Sequence, residues 1–496
     1  MSYFLSALSG LLLILCFPPF DLGYLAWGAL VPLFIAIDKK KSIHGFTLSF
    51  FCGLIFFSVS AFWVSVFHPL ALPLGIIFLG LFFGVFGLIV CFKGGFSYSL
   101  LQPLFSASVW TGIEYLKSLG FLGFPWFSLG YTQYKFLWLI QISRYTGVWG
   151  VTFLIVLFNA GFSQSILKKR LEKSLVFTMV LTSILFLWGN SFVKKDVKND
   201  SKDGLEIAVV QGNFDVYTYF PADVVLSRLV PLSMQAAKQS KAGLVVWTET
   251  VILEDMEKNG VLKQRLIQLV KDMNCFLLLG MPAYRKIGME EKHFNSAVLM
   301  SPEGNISYYN KTHLVPFGEL VPGNRKFGFI NKFAESIESG KYDPSDELLL
   351  LDSGKWKSGA MICFEGIFGD LAGNLVRKGA DFLVNITEDD WLKKHPSGMK
   401  QHAYMSVFRA VENGIYYVRA GNSGLSFILD PKGRIIESMP IKTEGFFVSR
   451  IYLKKDAKTF YTKYGDVFAW IILLLNVVLI CNLYFNSFPS KNRNHN

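Results

Sequence analysis

The sequence predicts a polytopic α-helical membrane domain joined to a layered α/β domain with mixed sheets. Three observations carry this. Up to residue 192 acids are nearly missing and apolar runs alternate with short polar breaks; residues 193–466 have ordinary soluble character; and an uninterrupted apolar run spans Val467 to Phe485. Of the 496 residues, 52% are hydrophobic, 16% aromatic and only 17% charged, with 47 Phe. A mean hydropathy of +0.37 is more apolar surface than a water-soluble core can hide, and it excludes a disordered chain.

The first domain, residues 1–192, holds seven candidate spans: Tyr3 to Phe17, Leu22 to Ile37, Ile43 to Phe67, Leu70 to Phe92, Phe96 to Tyr115, Thr146 to Ile166 and Leu175 to Phe192. The first two are short enough to form a re-entrant pair. A signal peptide is the competing reading of the first run, but no basic stretch precedes it and more spans follow, so it is expected to be retained. The run at 467–485 is an eighth span, followed by a tail at 486–496. Lys39, Lys40, Lys41, Lys93, Lys168, Lys169, Arg170, Lys173, Lys491 and Arg493 all fall where one face of the membrane would collect them. Such charges stay cytoplasmic, which places the tail inside and residues 193–466 outside the cytoplasm. The net charge of +12 follows these edges, with no basic stripe interleaved with aromatics, so nucleic acid is not an expected partner.

Within 193–466, short β-rich runs occur at Leu205 to Gln211, Gly243 to Trp247, Cys275 to Gly280, Gly359 to Phe364 and Asp381 to Ile386, with helical patterns between most of them. Two hairpins turn at Glu303-Gly304 and at Pro431, Lys432 and Gly433.

Three polar residues stand at the C-terminal ends of predicted strands, where reactive groups converge in α/β folds. Cys363 ends a strand before Phe364 and Glu365; taken alone, it reads equally as a buried structural thiol. Glu249, in VVWTET, sits just past a buried strand where desolvation raises a carboxyl toward a useful base; the plain alternative is an acid in a first helical turn. Lys311 precedes a Pro- and Gly-rich loop carrying Glu319, placed to stabilise an oxyanion or merely to end a strand in solvent. Of the two soluble-domain cysteines, Cys275 fits the structural reading. His313 is either a second base or a loop hydrogen-bonding group. The seven histidines show no ligand spacing, and HExxH, paired CxxC and GxxxxGK[ST] patterns are missing. The chemistry is therefore expected to need no metal and no cofactor.

The ordered trio Glu249, Lys311 and Cys363, within WTET, NKTHLVPFGELVP and ICFEG, resembles the Glu-Lys-Cys triad of the nitrilase (carbon-nitrogen hydrolase) superfamily. KTHLVPFGELVP, FPWFSLGYTQ (Phe124 to Gln133), VVQGN and the span count together resemble the bacterial apolipoprotein N-acyltransferase family over nearly the whole chain. The resemblance implies an α-β-β-α sandwich for 193–466. It implies Cys363 as the nucleophile taking an acyl chain from a phospholipid as a thioester, Glu249 as general base and Lys311 at the oxyanion. Glu319, Glu365, Phe364 and Trp247 take supporting places. Phe220, Phe327, Phe329, Phe333, Asn385 and Trp391 take substrate or lid places. The implied acceptor is the α-amine of a diacylglyceryl-cysteine on an apolipoprotein, with phosphatidylethanolamine the expected donor, a monomer the expected state and a bacterial inner membrane the expected location.

The chain departs from the family pattern at Thr248, Phe364, Phe220 and Glu388, where Pro, Tyr, Trp and Asn are usual. The segment NRKFGFINKFAESI mixes Phe327, Phe329, Ile330 and Phe333 with Arg325, Lys326 and Lys332. That composition suits a lid dipping into lipid headgroups or an amphipathic helix packed on the domain. Two other functions compete: a membrane-anchored amidase using the same triad, and a catalytically silent scaffold.

Overall fold

A computed structural model describes residues 1–67, 70–92, 101–195, 204–240, 243–321, 342–392, 395–453 and 458–486. The chain divides into two compact units, Met1–Phe192 with Asp466–Asn496, and Val193–Gly465.

The first unit is helical. Ser42–Ser60, Ala71–Val90, Val148–Lys168 and Lys173–Lys194 are long and apolar enough to cross a membrane. Ser2–Cys16, Leu101–Lys117 and Val467–Asn486 are further helices on the apolar runs. Two runs differ from their expected form. Leu22 to Ile37 is not one helix but a 3₁₀ turn at Gly23–Leu25 and short helices at Ala26–Ala29 and Val31–Ile37. Asn159 makes the break tolerable: its Oδ1 accepts from the Leu30 N–H at 2.9 Å and its Nδ2 donates to the Ala26 carbonyl at 2.8 Å. The run from Ile43 ends its helix at Ser60 and continues as a 3₁₀ turn, Phe62–Val66. FPWFSLGYTQ is held from inside. Glu114 accepts from the Leu129 N–H, Trp110 Nε1 and Thr152 Oγ1, each at 2.9 Å, and Lys117 Nζ donates to the Trp126 carbonyl at 2.7 Å.

The second unit is an α-β-β-α sandwich. Its strands are β1 (Gly204–Gln211), β2 (Leu244–Val246), β3 (Phe276–Ile287), β4 (Glu290–Met300), β5 (Ile306–Asn310), β6 (Leu351–Asp352), β7 (Lys357–Ile362), β8 (Phe382–Thr387), β9 (Tyr417–Gly421), β10 (Ser426–Leu429), β11 (Ile435–Met439) and β12 (Gly445–Tyr452). They form two six-stranded sheets, ordered β12-β1-β2-β3-β4-β5 and β11-β10-β9-β8-β7-β6. Each has a parallel centre, β1-β2-β3 and β7-β8-β9, with antiparallel strands outside.

Strand alternation builds the layers. Ile207 and Val209 of β1 meet Ile362 of β7 and Val384 and Ile386 of β8 between the sheets. Ala208 and Val210 turn the other way, onto residues of the helices Ala222–Ser240 and Gly260–Met273. The second sheet's outer face packs on the helices Gly369–Arg377 and Pro396–Asn413. Both predicted hairpins are present, β4-β5 and β10-β11. The run from Cys275 is longer than expected, since β3 continues to Ile287 and turns at Gly288, φ +64°, into β4.

Candidate active site

The site grows from the ends of four strands. Glu249 lies three residues past β2, Lys311 directly follows β5, Cys363 directly follows β7, and Glu388 and Asp389 directly follow β8. Cys363 does not continue its strand. It opens the 3₁₀ turn Cys363–Ile367 with φ +50°, a left-handed conformation that L-residues avoid.

Lys311 stands between two carboxylates. Its ammonium donates to Glu319 Oε1 at 2.9 Å and lies 3.7 Å from Glu249 Oε1. Asn295, on β4, ties the same pair together, its Nδ2 donating to Glu249 at 2.8 Å and to Glu319 at 3.2 Å. The other Glu249 oxygen accepts the Glu388 main-chain N–H at 2.8 Å, and the other Glu319 oxygen accepts the Val315 N–H at 2.9 Å. The Glu249 carboxylate and the Lys311 ammonium are thus oriented on both sides.

Close approach of this segment to the sheet requires Gly280 on β3. A Cβ there would stand 2.5 Å from the Thr250 nitrogen and 2.6 Å from the Glu249 Cα.

Burial sets the protonation states. It raises the Glu249 carboxyl; Lys311 counters this and Glu319 adds to it, so Glu249 sits above the usual carboxylate range. Burial pulls the Lys311 ammonium down, but Glu319 and Glu249 outweigh that and keep it firmly charged. The Cys363 thiol is pushed well up, by burial first and by the Glu249 charge second. A thiol in that state is not a resting thiolate, so attack needs a base at the moment of reaction.

Glu365 is fully buried and serves as a knot. One oxygen accepts from Tyr309 Oη, Thr312 Oγ1 and the N–H groups of Thr312 and His313, at 2.8–3.0 Å, and the other accepts the Ile362 N–H at 2.8 Å. It fastens the Lys311 loop to the Cys363 turn. The His313 ring lies on Phe368 at 4.0 Å and near Phe364 at 5.9 Å, and burial lowers its pKa. Phe364 packs edge-on to Phe368 in this apolar corner, which accounts for a ring without a hydroxyl.

Other expected site residues lie elsewhere. Trp247 is on the helix side of the first sheet, donating Nε1 to Ser233 Oγ at 2.8 Å; it braces the strand and does not face the triad. Phe220 packs on Phe214, with the Arg228 guanidinium over both rings. Trp391 is half-buried in the 3₁₀ turn Asp390–Leu392. Asn385 is fully buried behind Cys363, donating to the carbonyls of Met361 and Cys363, each at 3.2 Å, which is a structural place and not a substrate one. Phe327, Phe329 and Phe333 lie outside the described residues.

The sequence reading missed Asn295, Asp389, His402 and Arg419. The last three form a closed cluster behind Cys363: Arg419 donates to Asn385 Oδ1 and Asp389 Oδ2, both at 2.7 Å, and His402 meets Asp389 at 3.0 Å and the Cys363 carbonyl at 3.1 Å. A signal existed, because Arg419 and Asn385 interrupt otherwise apolar strands, and a charge in a buried strand must have a partner. Glu388 holds the loop after β1: its carboxylate accepts from the Asp390 N–H and from Asn422 Nδ2, which also donates to the Phe214 carbonyl. Among the described residues no cluster of His, Cys, Asp and Glu could hold a metal.

The family model for the apolipoprotein N-acyltransferase N-terminal domain matches residues 9–161, and that for carbon-nitrogen hydrolase matches residues 206–456. The chain is 34% identical to an apolipoprotein N-acyltransferase of Geobacter metallireducens, over 94% of this chain and 92% of that one. It is 30% identical to one of Borreliella burgdorferi, over 99% and 96% respectively. A solved amidase of the nitrilase superfamily from Nesterenkonia AN1 is 18% identical, covering 57% of this chain and 97% of its own, with a TM-score of 0.39.

Proposed function

The chain belongs to the apolipoprotein N-acyltransferase family, and from that premise we propose that it moves an acyl chain from a phospholipid, through a thioester on Cys363, to the N-terminal α-amine of a diacylglyceryl-cysteine on an apolipoprotein. This is the last step of lipoprotein maturation. The observation that carries the reading is the meeting of a buried base, a buried cation and a buried thiol at strand ends of one domain.

Each half-reaction uses the same groups. Glu249 takes the Cys363 proton as sulfur attacks the ester carbonyl, and Lys311 stabilises the oxyanion. Collapse breaks the ester C–O bond; Glu249 returns the proton to the leaving lysophospholipid oxygen, and the thioester remains. The neutral acceptor amine then attacks, Glu249 takes its proton, the C–S bond breaks and the thiol is restored. Splitting one barrier in two gives ping-pong kinetics. Water must be kept out, because hydrolysis of the thioester would waste the donor.

In this reading phosphatidylethanolamine is the donor and the protein acts as a monomer. It sits in a bacterial inner membrane, with residues 193–466 on the extracytoplasmic side that the Lys and Arg distribution favours. The test is to incubate purified protein with phospholipid and an apolipoprotein carrying diacylglyceryl-cysteine. An amide-linked acyl group on the acceptor is expected. Release of free fatty acid with no acceptor modification would overturn the reading in favour of a hydrolase.

A further inference from the structure

We propose that His402 is a positioning residue that clamps the Cys363 carbonyl and so holds the nucleophile in its left-handed backbone conformation. This rests on the nucleophilic role of Cys363 proposed above. At φ +50° a cysteine is retained only if its surroundings over-determine it. Here they do: the Cys363 carbonyl accepts from His402 Nε2 at 3.1 Å and from Asn385 Nδ2 at 3.2 Å. Both donors are themselves fixed. Arg419 bonds Asn385 Oδ1 through one terminal nitrogen and Asp389 Oδ2 through the other, and Asp389 Oδ1 lies 3.0 Å from His402 Nδ1. Arg419 Nη2 also lies 3.1 Å from that Nδ1, and Thr387 Oγ1 donates to Asp389 at 3.1 Å. His402 is 2% exposed, and Asp389, Asn385 and Arg419 are 0% exposed. The cluster therefore has no solvent to rearrange into.

Asp389 and His402 have the outline of the base half of a Cys-His-Asp triad, but the imidazole is turned to the backbone. A carbonyl oxygen only accepts, so Nε2 must carry a proton and donate it. His402 is thereby barred from taking the thiol proton, which leaves that task to Glu249. The imidazole instead spans the second sheet's covering helix and the nucleophile's peptide, converting a strained turn into a fixed one.

The test compares His402→Gln with His402→Asn in full-length detergent-purified protein, following acyl mass gain from phosphatidylethanolamine in a single turnover. Gln can offer a donor near the place of Nε2. Asn reaches only the place of Nδ1, so it keeps the Asp389 and Arg419 side of the cluster without the clamp. Asn is expected to slow acylation by about tenfold or more, the loss of one well-placed buried hydrogen bond, in the limiting single-turnover rate with the half-saturating donor concentration unchanged; Gln is expected to recover most of that loss. Wild-type acylation in His402→Asn, or a loss in His402→Gln equal to that in His402→Asn, overturns the proposal. Melting temperatures check folding. Should the Asn variant fail to fold, Asn385→Asp removes the second donor while leaving an acceptor for Arg419, and an undiminished rate there overturns the clamp equally. If the wild type gains no acyl mass at all, the thioester reading fails, and this inference with it.

Discussion

The ammonium of Lys311 lies 3.7 Å from the carboxylate of Glu249, with side chains 1% and 7% exposed. Neither group has water to fall back on, so each sets the other's charge. The cation keeps Glu249 ionisable despite its burial, and Glu249 and Glu319 together keep Lys311 charged. Burial, and then the Glu249 charge, push the Cys363 thiol well above its ordinary range.

The two soluble-domain cysteines should behave differently. Cys275 lies 2% exposed in the layer between sheet and helices, its thiol pushed up to about 12 by burial. Cys275→Ser should lower stability by about 1–3 kcal/mol, since a hydroxyl replaces the thiol among apolar neighbours, while the folded protein keeps activity within about threefold of wild type. Cys363→Ala should abolish turnover. Activity assays on both variants decide it, and a dead Cys275→Ser protein that remains folded would contradict the assignment.

Glu319→Gln should move the acid limb of acylation to lower pH. Glu249 must lose its proton to act as a base, so the rate rises with pH through a pKa that burial holds above the usual carboxylate range. Glu319 contributes to that rise, and removing its charge lets Glu249 ionise earlier. The plateau should also fall, because Lys311 loses its 2.9 Å anchor. Single-turnover acylation across pH reads both effects; an unmoved limb would show that Glu249 is not the titrating base.

Gly280→Ala should disable the site without touching a reacting group. The new methyl would meet the Thr250 nitrogen and Glu249 Cα, both main-chain atoms with no room to swing aside. Displacing the base by about 1 Å costs on the order of a hundredfold in rate. The measurement is kcat in protein whose melting temperature and circular dichroism remain near wild type, and an unchanged kcat would contradict the close approach.

Asp389→Asn should destabilise the fold by about 3–5 kcal/mol, because it strands a buried guanidinium. Burial alone would push the Asp389 carboxyl up; Arg419 and then His402 overcome this and hold it well below the usual range. A depressed pKa gives stability that is full above the ordinary Asp range and is lost as pH falls through the folded value. The gap between wild type and variant should therefore be constant from about pH 5 to 8 and narrow only in stronger acid. Denaturant unfolding followed by tryptophan fluorescence at several pH values checks this; a gap that widens in acid would reverse the sign.

Much of this was legible in the sequence, for physical reasons. The strand around Leu205 to Gln211 announces itself through its β-rich apolar run, and the hairpins at Glu303-Gly304 and Pro431 to Gly433 through their turn residues. Glu249, Lys311 and Cys363 were each ambiguous alone and became specific as an ordered set at strand ends. What stayed hidden depends on the third dimension. Nothing local says that Trp247 faces the helices, since a strand buried on both sides has no polar face to give its direction. The resemblance gives Asn385 a substrate place, while its side chain turns back to the carbonyl of Cys363. The break at Leu30 is repaired by Asn159, 129 residues away, a distance no periodicity reaches.

The intact mass of purified protein incubated with a defined phosphatidylethanolamine reads whether an acyl group is held on Cys363. A mass gain of one acyl chain, labile to hydroxylamine and missing in Cys363→Ala, is the expected result. Folded wild-type protein that gains nothing, or an acyl group that survives in Cys363→Ala, would contradict it.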